Sequence, residues 1–274
     1  MDGLSVYGGT GFVGGHYHRR HGGILIERNE RTPQTDDVLY FISTTDNYNV
    51  FTDVHVDINT NLNILMETLE ACRKKNIKGT FNFISSWFVY GRGALTPVSE
   101  TSRCQPRGFY SITKYTAEQL LISYCETFGM KYRILRLGNV VGKGDDRVSA
   151  KKNALQFLIN KMKKDEPIEL YEGGEFCRDY IHAHDCVDAI NLVINSDETD
   201  RAYNIANGEG IVFKDIVDLA YNKIGSKSVI TSIPQKEFHK IVQVRSMYMD
   251  IERIKSLGYA QKYTMSDILD DMIN

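Results

Sequence analysis

Short apolar runs alternate with segments of helical spacing from the start of the chain. "LSVYGG" (4–9) is apolar and ends in glycines, and "TGFVGGHYHRRHGG" (10–23) spaces its apolar residues as a helix does before a Gly-Gly stop. The pattern predicts strand, turn and helix, then two strands, "ILIER" (24–28) and "VLYFIST" (38–44). The polar residues between those strands are too few for a helix. Residues 57–75, "DINTNLNILMETLEACRKK", open with Asp and Asn caps, set Leu62, Leu65 and Leu69 on one face, and end in cations suited to the helix dipole. A strand at 80–86, a polar loop with Pro97 and Pro106, a helix from 110 to 128 and a strand at 131–142 follow. Such alternation predicts an α/β fold, a doubly wound parallel sheet with helices on both faces and ligands at the carboxyl ends of its strands.

Past Gly142 the elements shorten. A cationic amphipathic helix (149–166), the strand and turn "PIELYEGG", a strand running into a helix (178–196), "AYNIAN" (202–207) and a helix near 213–224 precede a tail of small elements. This predicts a sheet domain over 1–145 and a smaller C-terminal α/β domain over 146–274, with 178–207 returning to the first.

Composition narrows the classes. The 274 residues are 42% hydrophobic and 25% charged, enough for a full core. Net charge is −2 with both signs interspersed, so no basic stripe offers itself to nucleic acid. No run approaches the roughly eighteen apolar residues of a membrane span, and the first residues do not read as a leader. Five scattered cysteines without a CxxC suggest reduced thiols, and the expected location is the cytoplasm.

Candidate chemistry begins at "GGTGFVG". Gly8, Gly11 and Gly14 sit between a strand and a helix, where glycine lets the backbone turn tightly, approach a pyrophosphate and pack helix on strand. The first helical residues, Phe12 and Val13, would add their N–H groups. Glu27, at the end of the second strand, suits both adenosine ribose hydroxyls and favours NAD, whereas Arg28 and Arg31 keep NADP possible. Further on, "GFYSITKYTAEQ" sets Tyr110 one helical turn from Lys114, a spacing that means little alone. Tyr115 lacks such a lysine and reads as packing. Cys177, His182, His184 and Cys186 imitate a metal site, but no metal is expected, and "HYHRRH" (16–21) reads as a solvated helix face.

Five signals then stand in one order: "GGTGFVG", "FISSWFVYG", "YSITK", "RLGNVVGKGD" and "RDYIHAHD". Together they resemble the extended short-chain dehydrogenase/reductase family, within it the nucleotide-sugar epimerases, reductases and dehydratases. The resemblance implies that Tyr110 is the acid/base and that Lys114 tunes it and holds the nicotinamide ribose, a cation lowering a phenol from its usual value of about 10. By position, Ser86 would hydrogen-bond the reacting oxygen, with Ser85 second. Arg178 would grip a substrate diphosphate, with Arg245 as a second grip and Asn139 also in the substrate site. An ion pair of Arg178 with Asp179 or Asp185 is the structural alternative.

The family's 4,6-dehydratases carry an Asp-Glu pair directly after the serine or threonine, where this chain has Trp87 and Phe88, so elimination is disfavoured. The implied activity is NAD(P)-dependent oxidoreduction of a nucleoside-diphosphate sugar, as a 4-epimerase working through a transient 4-keto sugar. The alternative is an NAD(P)H-dependent 4-keto-sugar reductase, and a non-catalytic NAD(P)-binding sensor is more remote. A homodimer built on helices 57–75 and 110–128 is also implied. Two departures stand out: the segment between "ILIE" and "VLYFIS" is too short for the family's usual helix and strand, and Ser43 and Thr44 replace a small Ala-Ala pair.

Overall fold

The computed structural model describes residues 3–45, 47–92, 95–145 and 153–274. β1 (Leu4–Tyr7) turns into α1 (Phe12–His21), followed by β2 (Ile24–Ile26) and β3 (Asp37–Tyr40). A helical run then passes from α2 (Val56–Ile58) through a π-helical stretch (Asn59–Asn63) into α3 (Ile64–Lys75). Next come β4 (Thr80–Ser86), α4 (Phe109–Phe128), β5 (Lys131–Leu137), β6 (Asn139–Val141), α5 (Ala154–Met162) and β7 (Ile168–Tyr171). β8 (Cys177–Arg178), β9 (Tyr180–His182), α6 (Ala183–Ile194), β10 (Arg201–Ile205), β11 (Ile211–Val212) and α7 (Phe213–Ile224) follow. The chain closes with β12 (Ile230–Ile233), α8 (Glu237–Val242), α9 (Glu252–Ser256) and α10 (Met265–Ile273).

Six strands form one parallel sheet in the order β10-β5-β4-β3-β1-β2. All seven residues of β4 are buried because helices cover both faces, which is why it reads as nearly continuous apolar sequence. Phe81 and Phe83 pack with Tyr40, Leu65, Leu69 and Leu121 on the α3–α4 face. Ile84 points the other way, into a core with Val187 and Ile190 of α6. A third core, built from Leu155, Ile159, Leu170, Ile216 and Leu269 among others, holds the smaller C-terminal lobe together.

Several elements differ from their sequence reading. The expected strand 131–142 breaks at Gly138, whose N–H donates to Ile205 at 2.8 Å, and β6 leaves the main sheet to pair with β9. Of the helix expected over 149–166, residues 149–152 lie outside the described residues, and α5 ends at Met162 because residues 163–165 turn. Nor is the "HYHRRH" helix solvated throughout. Tyr17 is buried, and Arg20 and His21 both bind Asp188 of α6, because α1 packs along that helix.

The link between β2 and β3 contains no helix. It crosses the sheet beside β1, where the Tyr7 hydroxyl donates to the Arg31 carbonyl at 2.8 Å and Ser5 Oγ accepts the N–H groups of Gln34 and Thr35 at 2.9 Å. An ion pair of Arg31 with Glu67 at 2.9 Å ties the link to α3.

Candidate active site

A cleft of about 1130 Å³ opens at the carboxyl ends of the strands, between the sheet and the C-terminal lobe. Its floor begins with the glycine loop. Gly8 has φ +72°, and a Cβ there would also meet the backbone of Phe41 and Ile42 at 3.1 Å. Gly14 lies against the loop so closely that a Cβ would sit 2.5 Å from the Gly8 carbonyl oxygen. α1 starts with no side-chain cap and no acid in its first turn, so its N–H groups and dipole face the cleft where Phe12 and Val13 line it. This cradle fits the pyrophosphate of NAD(P).

Ser86 ends β4 and Tyr110 lies in the first turn of α4, and both line the cleft with Lys114 one turn further on. Ser86 and Ser43 line the same stretch of the cleft as the Tyr110 ring. Burial pushes the Tyr110 phenol up to about 12, with the nearby Ser86 and Ser43 hydroxyls acting in the lowering direction. The expectation from the sequence was a phenol lowered by Lys114. The difference arises because the Lys114 ammonium turns inward, donating to the Ile84 carbonyl at 2.7 Å and resting over the Phe83 ring at 4.0 Å from its centre. Burial pulls Lys114 down to about 7, partly opposed by Glu118. Glu118 is itself buried in an ion pair with Arg136 at 2.7 Å and accepts the Ser85 hydroxyl at 2.5 Å. Ser85 is thus a structural partner, whereas the Ser86 hydroxyl accepts the Phe88 N–H at 3.3 Å and lines the cleft with Tyr110.

The opposite wall belongs to the C-terminal lobe. Arg178 stacks over Phe176, 4.4 Å from the ring centre, and its Nη1 donates to the carbonyls of Cys177 at 2.9 Å and Arg245 at 2.6 Å. Nε and Nη2 make no hydrogen bond among the described residues, which leaves one edge of the guanidinium for a ligand. Neither neighbouring acid pairs with it. Asp179 accepts backbone N–H groups from Asn207, Gly208 and Met249, and Asp185 accepts those of Lys262 and Tyr263.

The remaining candidates scatter. Asn139 lines the cleft with its amide donating to the Asp179 carbonyl at 2.8 Å. Glu27 and Arg28 follow β2 on the surface and do not line the cleft; Arg245 contributes its carbonyl to Arg178 while its side chain is exposed. Sequence reading missed a bridge over the cleft, where the Tyr48 hydroxyl meets His239 Nδ1 at 3.0 Å and Phe238 packs edge-on against Tyr48 and Phe51. Burial, with the Arg178 charge, lowers His239 to about 4 and keeps it neutral at ordinary pH. Nothing in the spacing of these loop aromatics announces the contact. Among the described residues no group of three or more His, Cys, Asp or Glu could hold a metal ion.

A parallel sheet with a glycine cradle after its first strand, and a serine, tyrosine and lysine gathered at the next strand ends, defines a dinucleotide-dependent α/β enzyme. The chain belongs to the NAD dependent epimerase/dehydratase family, whose model matches residues 30–206. It is 25% identical over 215 residues to a putative UDP-glucose 4-epimerase of Methanocaldococcus jannaschii, covering 78% of this chain and 68% of that protein. It is 28% identical to the dTDP-4-dehydro-6-deoxyglucose reductase of Escherichia coli, over 68% of this chain and 57% of that protein. Among solved structures, the UDP-glucose 4-epimerase of Thermotoga maritima with UDP-glucose superposes with a TM-score of 0.87 at 23% identity, covering 99% of this chain and 97% of that one.

Proposed function

We propose that the protein is an NAD(P)-dependent nucleoside-diphosphate-sugar 4-epimerase. The observation that carries this reading is the single cleft in which Ser86, Tyr110 and Lys114 face Arg178 across the space between the lobes. NAD(P), held by the glycine loop, supplies the hydride acceptor and donor. As its phenolate, Tyr110 would take the proton of the sugar C4 hydroxyl as hydride leaves C4, and would give it back to the oxygen when hydride returns to the other face of the ketone, while Ser86 hydrogen-bonds the same oxygen. Arg178 would hold the diphosphate through its open edge. Trp87 and Phe88 offer no carboxylate beside Ser86, which supports redox at one carbon over elimination. Glu27 after β2, with Arg31 committed to Glu67, supports NAD over NADP.

The similarity to a 4-keto-sugar reductase gives the second reading, because both reactions use the same residues. Nucleoside-diphosphate sugars and their 4-keto forms, supplied separately with cofactor, separate the two. Inversion at C4 without net change in reduced nicotinamide supports the epimerase, and stoichiometric consumption of NAD(P)H replaces it with the reductase.

The reading extends to assembly and location. Phe109, Ile112, Leu120 and Phe128 are exposed along α4, which supports a homodimer through α3 and α4; sedimentation as a monomer at micromolar concentration would remove it. The five free cysteines support a reducing, cytoplasmic setting. Among the described residues no helix is long and apolar enough to cross a membrane.

A further inference from the structure

The proposed chemistry makes no use of the bridge between Tyr48 and His239, and the two halves of that bridge are anchored unequally. The first half is the 3-10 helix Asn47–Phe51, which follows β3 in the sheet lobe. Asn47 is buried, and its Oδ1 accepts the Ser111 N–H at 3.3 Å in the first turn of α4, the turn that carries Tyr110. Glycine at 108 lets Asn47 come this close, since a Cβ there would overlap the Asn47 side chain. Asn49 Nδ2 donates to the buried Asp57 at 3.0 Å. The second half is α8, a helix of six residues without a side-chain cap, too short to hold itself. Val242 is buried beneath it, and the His239 ring lies 4.7 Å from the ring of Tyr171 on β7. Across the cleft, His239 Nδ1 meets the Tyr48 hydroxyl at 3.0 Å, and the Phe238 ring stands edge-on to Tyr48 at 5.0 Å and to Phe51 at 4.6 Å.

These cross-lobe contacts sit at the surface, with Phe51 65% exposed. One hydrogen bond within reach of water and two edge-on ring pairs hold a closed form against an open one populated on the order of 1%. We propose that the contact is a strap: α8 swings away from Tyr48 and Phe51 to admit a nucleoside-diphosphate sugar and to release the product, and closes over the ligand in between. The inference rests on the reading of the cleft as a sugar-nucleotide site. Tyr110 stands on the wall that carries Tyr48, Arg178 on the wall that carries His239, and all four line one cleft, so a ligand held by both walls is enclosed when the contact forms. Lys236 and Gln243, on either side of α8, have extended backbone with ψ 148° and 149°, and rotation at these two positions moves the helix as a body. Tyr171 stays behind, because β7 is paired with β12. The rings of the strap bind one another, so weakening them speeds entry and exit together and leaves affinity nearly unchanged.

Hydrogen exchange and binding kinetics of the whole chain test the strap. Phe238→Ala removes both ring pairs, and Tyr48→Phe keeps the rings and removes the hydroxyl. In the ligand-free protein the amides of Lys240 and Gln243 donate to the carbonyls of Lys236 and His239, and a helix this short frays once it is released. Their exchange should be about tenfold faster in Phe238→Ala and about threefold faster in Tyr48→Phe. The one tryptophan of the chain, Trp87, lines the cleft and serves as the stopped-flow fluorescence reporter. The probe is whichever of UDP-glucose, dTDP-glucose and GDP-mannose the wild type binds most tightly. Association and dissociation rates should both rise about tenfold in Phe238→Ala, with Kd within about threefold. A rise in dissociation alone, with Kd weakened in proportion, would make Phe238 a ligand contact and overturn the strap. Exchange and rates within about twofold of the wild type in both variants would overturn it as well. If none of the three sugar nucleotides binds, the reading of the cleft falls instead, and exchange in the ligand-free variants still decides whether the contact opens.

Discussion

The two ends of the cleft are built differently. At the proposed catalytic end Ser86, Tyr110 and Lys114 are all buried, and Lys114 is locked between the Ile84 carbonyl and the Phe83 ring. At the adenosine end Glu27 and Arg28 lie on the surface after a three-residue strand, and a helix-free link replaces a full crossover. Burial shifts the ionisation of a side chain and helps fix its direction, which supports the proposal that the chemistry belongs to the first end. The second end can be trimmed because a pyrophosphate cradle needs only the loop and the first turn of α1.

Lys114 gives the largest expected effect. Its folded value of about 7 lies below the ordinary 10.5, so below pH 7 both folded and unfolded chains hold the proton and the burial penalty is at its full size. Between pH 7 and 10 the folded state has lost its proton while the unfolded state keeps it, and stability rises with pH. Relative to Lys114→Met, the wild type should gain on the order of 3 kcal/mol across that window, read by denaturant unfolding. Parallel curves for the two proteins would contradict the buried, depressed ammonium.

Arg178→Ala should raise KM for the sugar nucleotide about ten- to a hundredfold and change kcat much less, since it removes charge-assisted bonds to a group remote from the reacting carbon. Glu27→Gln should shift the NAD to NADP preference by about fivefold toward NADP, measured as the ratio of kcat/KM values, the modest size of an exposed contact. The smallest effect is expected from Arg245→Ala. Its carbonyl survives the change, so KM should stay within about twofold, and a loss comparable to that of Arg178→Ala would show that the two arginines act as a pair.

Much of the catalytic end was legible in the sequence because its signals are local. Tyr110 and Lys114 are one helical turn apart, Ser86 closes a strand, and the glycines of "GGTGFVG" fall between strand and helix; each geometry follows from the spacing itself. Contacts made across the fold carried no such signal. Lys114 turns away from the phenol because the Ile84 carbonyl comes within 2.7 Å, which no spacing on α4 reveals. Likewise the π-helical turn that carries Asn61 lets it bond both Ser43 after β3 and Thr113 of α4, and Tyr48 meets His239 across 191 residues. The break at Gly138 was hidden because "RLGNVVG" keeps strand character on both sides of the point where it changes partners.

In the proposed reaction Tyr110 moves the proton while hydride moves at the sugar carbon. Steady-state kinetics of Tyr110→Phe test it most directly, because the ring that packs edge-on against Phe88 is kept and only the hydroxyl is lost. In Tyr110→Phe kcat should fall about a thousandfold with KM for the sugar nucleotide within about twofold. A variant that turns over at the wild-type rate on a substrate the wild type converts would contradict it.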